Sequence, residues 1–175
     1  YGLKGELAWG PALFSLAWTS TGNETATQSP WSGYPGYTSV QVEDFNRAGE
    51  DAWMLRAAYN FQGVPGLSTY ALYVNGNDPE GDTTYAKEEF DFNLQWAAPA
   101  GTWQGLALRF RYAVVDQDGP GSSNLNDLRL IVDYDNATEF LDDYEANLTA
   151  STAFIGTART IALGTIIEVG FAFPG

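Results

Sequence analysis

Four arginines, Arg56, Arg109, Arg111 and Arg129, make up half of the eight basic residues, and each sits in a run where every second residue is bulky and apolar. Asp91 and Asp133 fall in the same phase of neighbouring runs. Fixed guanidinium and carboxylate charges in such positions must face water or each other. An arginine offers a planar fork that matches a carboxylate, and a row of them along a wet passage attracts anions. Other chemistry is poorly supplied. The chain has no histidine and no cysteine, which removes every Ser-His-Asp or Cys-His arrangement, thiolate chemistry and Cys-based zinc sites. Glu88-Glu89 and Asp142-Asp143 are adjacent carboxylates, but neighbours on a strand point to opposite faces and cannot flank one glycosidic bond. Asp116-Gln117-Asp118-Gly119 and Asn75-Gly76-Asn77-Asp78 alternate oxygen ligands without the distal glutamate of a calcium loop. Three Asn-X-Thr sequons, at Asn23, Asn136 and Asn147, are short enough to arise by chance. No residue pattern calls for a cofactor or a metal.

The elements that position these charges are strands. In Glu89–Trp96, Phe90, Phe92, Leu94 and Trp96 share one face, and Glu89, Asp91, Asn93 and Gln95 the other. Leu106–Val114 turns Leu108, Phe110 and Tyr112 one way and Arg109 and Arg111 the other; Leu128–Tyr134 repeats the pattern with Arg129 and Asp133 inward. The same alternation predicts strands at Leu3–Trp9, Ala12–Trp18, Asp51–Phe61 and Leu67–Asn75, with Met54, Arg56 and Asn60 inward on the third. Beyond Tyr134 the pattern blurs: Ala146–Thr152 reads as a weak strand and Ile161–Phe173 as a clear one, for eight or nine in all. The connections alternate short and long. Gly10-Pro11 and Gly63-Val64-Pro65-Gly66 are short turns and the connection through Pro99-Ala100-Gly101 is a shorter one, whereas residues 19–50, 76–82 and 116–122 are long and polar.

Polar mid-strand residues on one face, aromatic girdles on the other (Trp53 and Phe90 toward one rim, Phe61 and Trp96 toward the other) and loops that lengthen at one rim only are the marks of a transmembrane antiparallel β-barrel. No apolar run reaches the roughly 18 residues of a membrane helix, a test that barrel strands of about 9–11 residues never meet. An arginine facing lipid at mid-membrane costs about 2–4 kcal/mol, so the phase puts Arg56, Arg109, Arg111 and Arg129 inside. In a narrow barrel they would pair with Glu6, Asp91, Asp133 or Glu168; in a wide one they would line water. The net charge of −14 argues against nucleic acid as a partner, and most of the acids read as a solvated rim. Residues 1–175 read as one barrel domain or barrel segment, with residues 19–50 as a long extracellular loop. The chain opens at Tyr1, without an initiator Met or leader, as a mature form or a fragment would.

Three stretches carry a resemblance. Asp44-Phe45-Asn46-Arg47-Ala48-Gly49-Glu50-Asp51-Ala52-Trp53 leads through Tyr59-Asn60-Phe61 to Gly63-Val64-Pro65-Gly66-Leu67-Ser68. Leu108-Arg109-Phe110-Arg111-Tyr112 and Asn126-Asp127-Leu128-Arg129-Leu130-Ile131-Val132-Asp133-Tyr134 follow in order. Over residues 42–134 the chain resembles the C-terminal portion of the OprD-type outer-membrane porins. The resemblance implies a barrel of about eighteen strands in the bacterial outer membrane, bounded by lipid bilayer and lipopolysaccharide. Such a barrel passes small solutes, amino acids or carboxylates among them, along a ladder of basic side chains. Arg56, Arg109, Arg111 and Arg129 are the positions that could belong to that ladder. The chain is too short for so many strands, so closure would need other chains or the rest of a larger barrel, and residues 135–175 run past the point where the family usually ends.

Two other readings compete. A small non-conducting outer-membrane barrel would serve as an anchor or adhesin. A soluble β-sandwich binding domain would spend the aromatics on its core and on a sugar platform.

Overall fold

The computed structural model describes residues 1–27, 36–77, 79–80, 85–119 and 124–134, and the backbone of 167–170. They form one antiparallel sheet in which every strand pairs with its neighbour in sequence: β1 (Gly2–Trp9), β2 (Ala12–Ser20), β3 (Asp51–Asn60), β4 (Leu67–Asn77), β5 (Lys87–Ala97), β6 (Leu106–Gln117), β7 (Leu125–Tyr134) and β8 (Ile167–Gly170). Among the described residues no second sheet packs against it, and no helix is long and apolar enough to cross a membrane. The seven strands expected between Leu3 and Tyr134 are all present, most of them longer than expected by a residue or more at the loop rim. The weak strand at Ala146–Thr152 lies outside the described residues, as does most of Ile161–Phe173; its stretch 167–170 pairs with β7, Val132 opposite Ile167.

Pairing carries the two faces across the sheet without a slip. Trp18, Trp53, Asn75 and Glu88 stand in one outward row, and Leu16, Leu55, Tyr73 and Phe90 in the next. A one-residue shift would exchange the faces, so hydrophobic pattern and hydrogen-bond register support each other. The outward leucines remain exposed, Leu16 at 60% and Leu55 at 53%. Aromatic contacts mark both ends of this face. Trp53 packs against Tyr73 near the loop rim, and Tyr59 meets Phe61 edge-on near the turn rim.

The β1–β2 and β3–β4 turns lie at one rim and the longer β2–β3 and β4–β5 connections at the other; the expected alternation of lengths stops there, because the β5–β6 connection (residues 98–105) is no shorter than the β6–β7 connection (residues 118–124). Gly66 shows why the β3–β4 turn stays tight. Its φ of +83° suits glycine, and a Cβ there would collide with the Ala97 carbonyl of β5.

The main core of the described residues lies on the inner face: Ala17, Ala52, Met54, Leu72 and Val74, closed over by Phe45 from the β2–β3 connection. This connection, expected to stand out from the rim from residue 19 onward, starts after Ser20, and its described part from Gly36 to Glu50 folds back across the inner face. The reason is an unusual demand of the wall itself. Glu89 and Asp91 are almost fully buried on β5 and need donors, and the connection supplies backbone N–H groups.

Candidate functional site on the inner face

Three successive amides of the inward connection point at two carboxylates of β5. The Gln41 N–H donates to Asp91 Oδ2 at 3.0 Å, and the Val42 and Glu43 N–H groups donate to Glu89 Oε1 and Oε2, each at 2.8 Å. Consecutive amides turned one way form an anion-binding concavity, here filled by the wall's own side chains. Further ties surround this latch. Thr38 and Thr19 hydroxyls bond at 2.7 Å, and Lys87 forms an ion pair with Glu43. Arg47 binds the fully buried Glu50 through its backbone N–H (2.9 Å) and Nε (3.1 Å), and donates from Nη1 to the Tyr85 carbonyl at 2.8 Å.

Phe45 completes the seal. It is 1% exposed although its φ is +50°, a strained value for an aromatic residue, costing about 1–2 kcal/mol. Burial of the ring offsets that strain, because it seats over Gly76, where a Cβ would stand 2.6 Å from Phe45 Cδ1.

The arginines fall into a trio and a single. Arg111 on β6 stands directly opposite Arg129 on β7 in the register, and Arg109 lies two residues along β6 on the same face. Opposed like charges on adjacent strands destabilise a sheet unless counter-charges answer them. Arg129 is answered by Asp127, with Nε 2.7 Å and Nη2 2.6 Å from Oδ2, and its Nη2 also reaches the Gln41 carbonyl at 3.3 Å. Arg109 donates from Nε to Gln95 Oε1 at 2.8 Å. Arg111 lies within electrostatic range of Asp91, while its buried Nε has no hydrogen-bond partner among the described residues. Arg56, three strands away on β3, lies over the Tyr70 ring with its guanidinium carbon 4.4 Å from the centroid.

Two expectations about partners change. Glu6, read as a counter-ion for an inward arginine, lies within electrostatic range of Arg56 but makes its direct contacts to Lys4 at 3.0 Å and the Ser15 hydroxyl at 2.9 Å. Asp91 faces inward as its phase requires but is 1% exposed, covered by the inward connection, so it does not border open lumen. Asp133 is half-buried toward the turn rim, in register with Ala107. Glu50, in the long connection whose acids read as a solvated rim, is fully buried, as is Glu89 on the wet face of β5. The sequence reading passed over Asp127, Gln41, Arg47 and Glu50. Asp127 was findable, since it shares the inward phase of Arg129 two residues away. The others sit in an aperiodic segment whose partners lie far off in sequence.

The geometry amounts to a sheet with an apolar, aromatic-edged outer face and an inner face bearing a cationic cluster beside a docked segment. A family model described as outer membrane porin, OprD family, matches residues 1–138, more of the chain than the 42–134 carrying the sequence resemblance. The chain is 32% identical to Porin D of Pseudomonas aeruginosa over 55% of its own length and 26% of that protein. Among solved structures it is similar to Pseudomonas aeruginosa OccK5 (OpdH), with a TM-score of 0.67 and 28% identity, covering 76% of this chain and 38% of that one. For Pseudomonas aeruginosa OpdL the TM-score is 0.69 at 25% identity, with the same 76% and 38% covered. The chain therefore spans about a quarter of the curated relative and under two-fifths of the solved ones.

Proposed function

The chain belongs to the OprD family of outer-membrane porins, and from that premise we propose that it supplies part of the wall and the constriction of a channel for small solutes. It is an outer-membrane protein of a family of channels rather than enzymes. The observation that carries the reading is the pairing of Arg111 with Arg129 beside the inward connection, on the face opposite the exposed leucines. Lipid suits the leucine face, and water suits the arginines. A segment docked on the inner wall narrows the passage at the level where the cations stand. A small carboxylate passing there meets Arg109, Arg111 and Arg129 within one or two residue spacings, about 7 Å along a strand. Arg56 extends the cationic surface across the inner face to β3, and Asp133 tempers it toward the turn rim.

Within this reading the described connection, residues 21–27 and 36–50, enters from the extracellular side, and the free edge of β1 pairs with strands of a larger barrel, since an unpaired edge in hydrocarbon leaves backbone groups unsatisfied. The test is planar-bilayer recording of the full-length protein that carries this chain. Stable channels are expected, and the Arg109→Ala/Arg111→Ala double variant should lose anion preference several-fold while still opening. An absence of channel events in the intact protein, or a double variant with unchanged ion selectivity, would overturn it.

A further inference from the structure

Arg111 and Arg129 stand directly opposite each other on β6 and β7, yet their guanidinium groups are held differently. Arg129 folds back along its own strand to Asp127, two residues nearer the loop rim and on the same face. Its Nε lies 2.7 Å and its Nη2 2.6 Å from one oxygen, Oδ2. The residue across from Asp127 is the small, fully buried Ala113, which leaves room for the guanidinium. The same Nη2 reaches the Gln41 carbonyl at 3.3 Å. Arg111 is not fastened in this way. Its Nε has no hydrogen-bond partner among the described residues, and it borders a recess of about 270 Å³ that Gln41 also lines, between the inward connection and the wall. The buried Asp91 lies in electrostatic range of both arginines, so it does not account for the difference. Asp127 does.

We propose that Asp127 is a specificity-determining residue of the channel: it closes Arg129 into a neutral clamp on the inward connection and leaves Arg109 and Arg111 as the charges that select anions. The inference rests on the porin reading and deepens it, separating two tasks among arginines that the strand phase treats alike. Both members of the pair are about three-quarters covered, with side chains 28% and 24% exposed. An ion pair so placed presents a passing ion with a dipole, whose field falls off faster with distance than that of a single charge. Without Asp127, two like charges would face each other on adjacent strands, which destabilises a sheet. Arg129 then serves as a positioning residue. Gln41 is held from two sides, its N–H by Asp91 on β5 and its carbonyl by Arg129 on β7, and Asp127 keeps the guanidinium within reach of that carbonyl. Arg109 donates to the neutral Gln95 and stays exposed, so its charge is not cancelled.

Reversal potentials in a potassium chloride gradient, recorded on planar bilayers holding the full-length protein, give the chloride-to-potassium permeability ratio. Asp127→Asn keeps the shape and an acceptor for Arg129 but uncovers its charge. It should raise the ratio about twofold to threefold, as one added charge about 7 Å away does in water at about 0.1 M salt. Asp127→Glu restores the counter-charge and should cancel the gain. Asp127→Asn/Arg129→Gln should also lose the gain, while amides of residues 39–43 exchange hydrogen several-fold faster because the hold on the Gln41 carbonyl weakens. An unchanged ratio in Asp127→Asn would show that Asp127 masks nothing. A double variant that falls below wild type to the level of Arg111→Gln would show that Arg129 is itself a selecting charge. Either result overturns the inference and leaves the porin standing. Wild-type protein that forms no channels would overturn the porin reading, and this inference with it.

Discussion

Replacing Glu89 with alanine should free the inward connection without unfolding the sheet. The side chain accepts two backbone N–H bonds at 2.8 Å, from Val42 and Glu43. An ordinary intramolecular hydrogen bond contributes about 0.5–1.5 kcal/mol net, and the upper figure applies to an acceptor as buried as Glu89. The loss is then about 3 kcal/mol of local opening free energy. At about 1.4 kcal/mol per factor of ten, amides in residues 36–50 should exchange hydrogen on the order of 100-fold faster. The Gln41–Asp91 bond, the Thr19–Thr38 bond and the seated Phe45 ring remain, so the segment opens more often but is not lost. Glu89→Gln keeps one acceptor oxygen and turns an NH₂ toward the other amide, so it should fall between, near tenfold. Hydrogen-exchange mass spectrometry on the full-length protein in micelles provides the assay, with peptides of β6 and β7 as internal reference. Wild-type exchange over 36–50 in Glu89→Ala would show that the two bonds carry no latch energy. Equal acceleration in β6 and β7 would refute the argument differently, by making Glu89 a support of the whole wall.

Two further substitutions probe other levels of the structure. In Gly76→Ala the new methyl would meet both Glu50 Oε1 and the Phe45 ring, so the ring must leave its seat; a destabilisation of about 1–3 kcal/mol is expected, with wider conductance in bilayer recordings. Leu55→Arg places a charge on the exposed outward face and should cost about 2–4 kcal/mol in urea titrations of folding into vesicles, whereas no penalty there would contradict the lipid-facing assignment.

The sequence by itself determined the strands, their phase and the family. Period-two alternation is a local property, legible wherever six or more residues run straight, and a single phase error would have put Arg109 and Arg111 among Phe110, Tyr112 and the exposed leucines. The inward side of Arg56, Arg109, Arg111, Arg129, Asp91 and Asp133 followed from that phase. What occupies the space in front of that face did not. The latch joins Gln41, Val42 and Glu43 to acceptors 46 to 50 residues away, and its donors are backbone amides, which every residue but proline possesses. No side-chain pattern announces them. Only the tertiary structure decided that Glu89 and Asp91, polar residues on a wet face by any reading of the chain, are buried acceptors beneath a docked segment, and that Gln41, ordinary in a polar loop, turns its amide into a recess shared with Arg111.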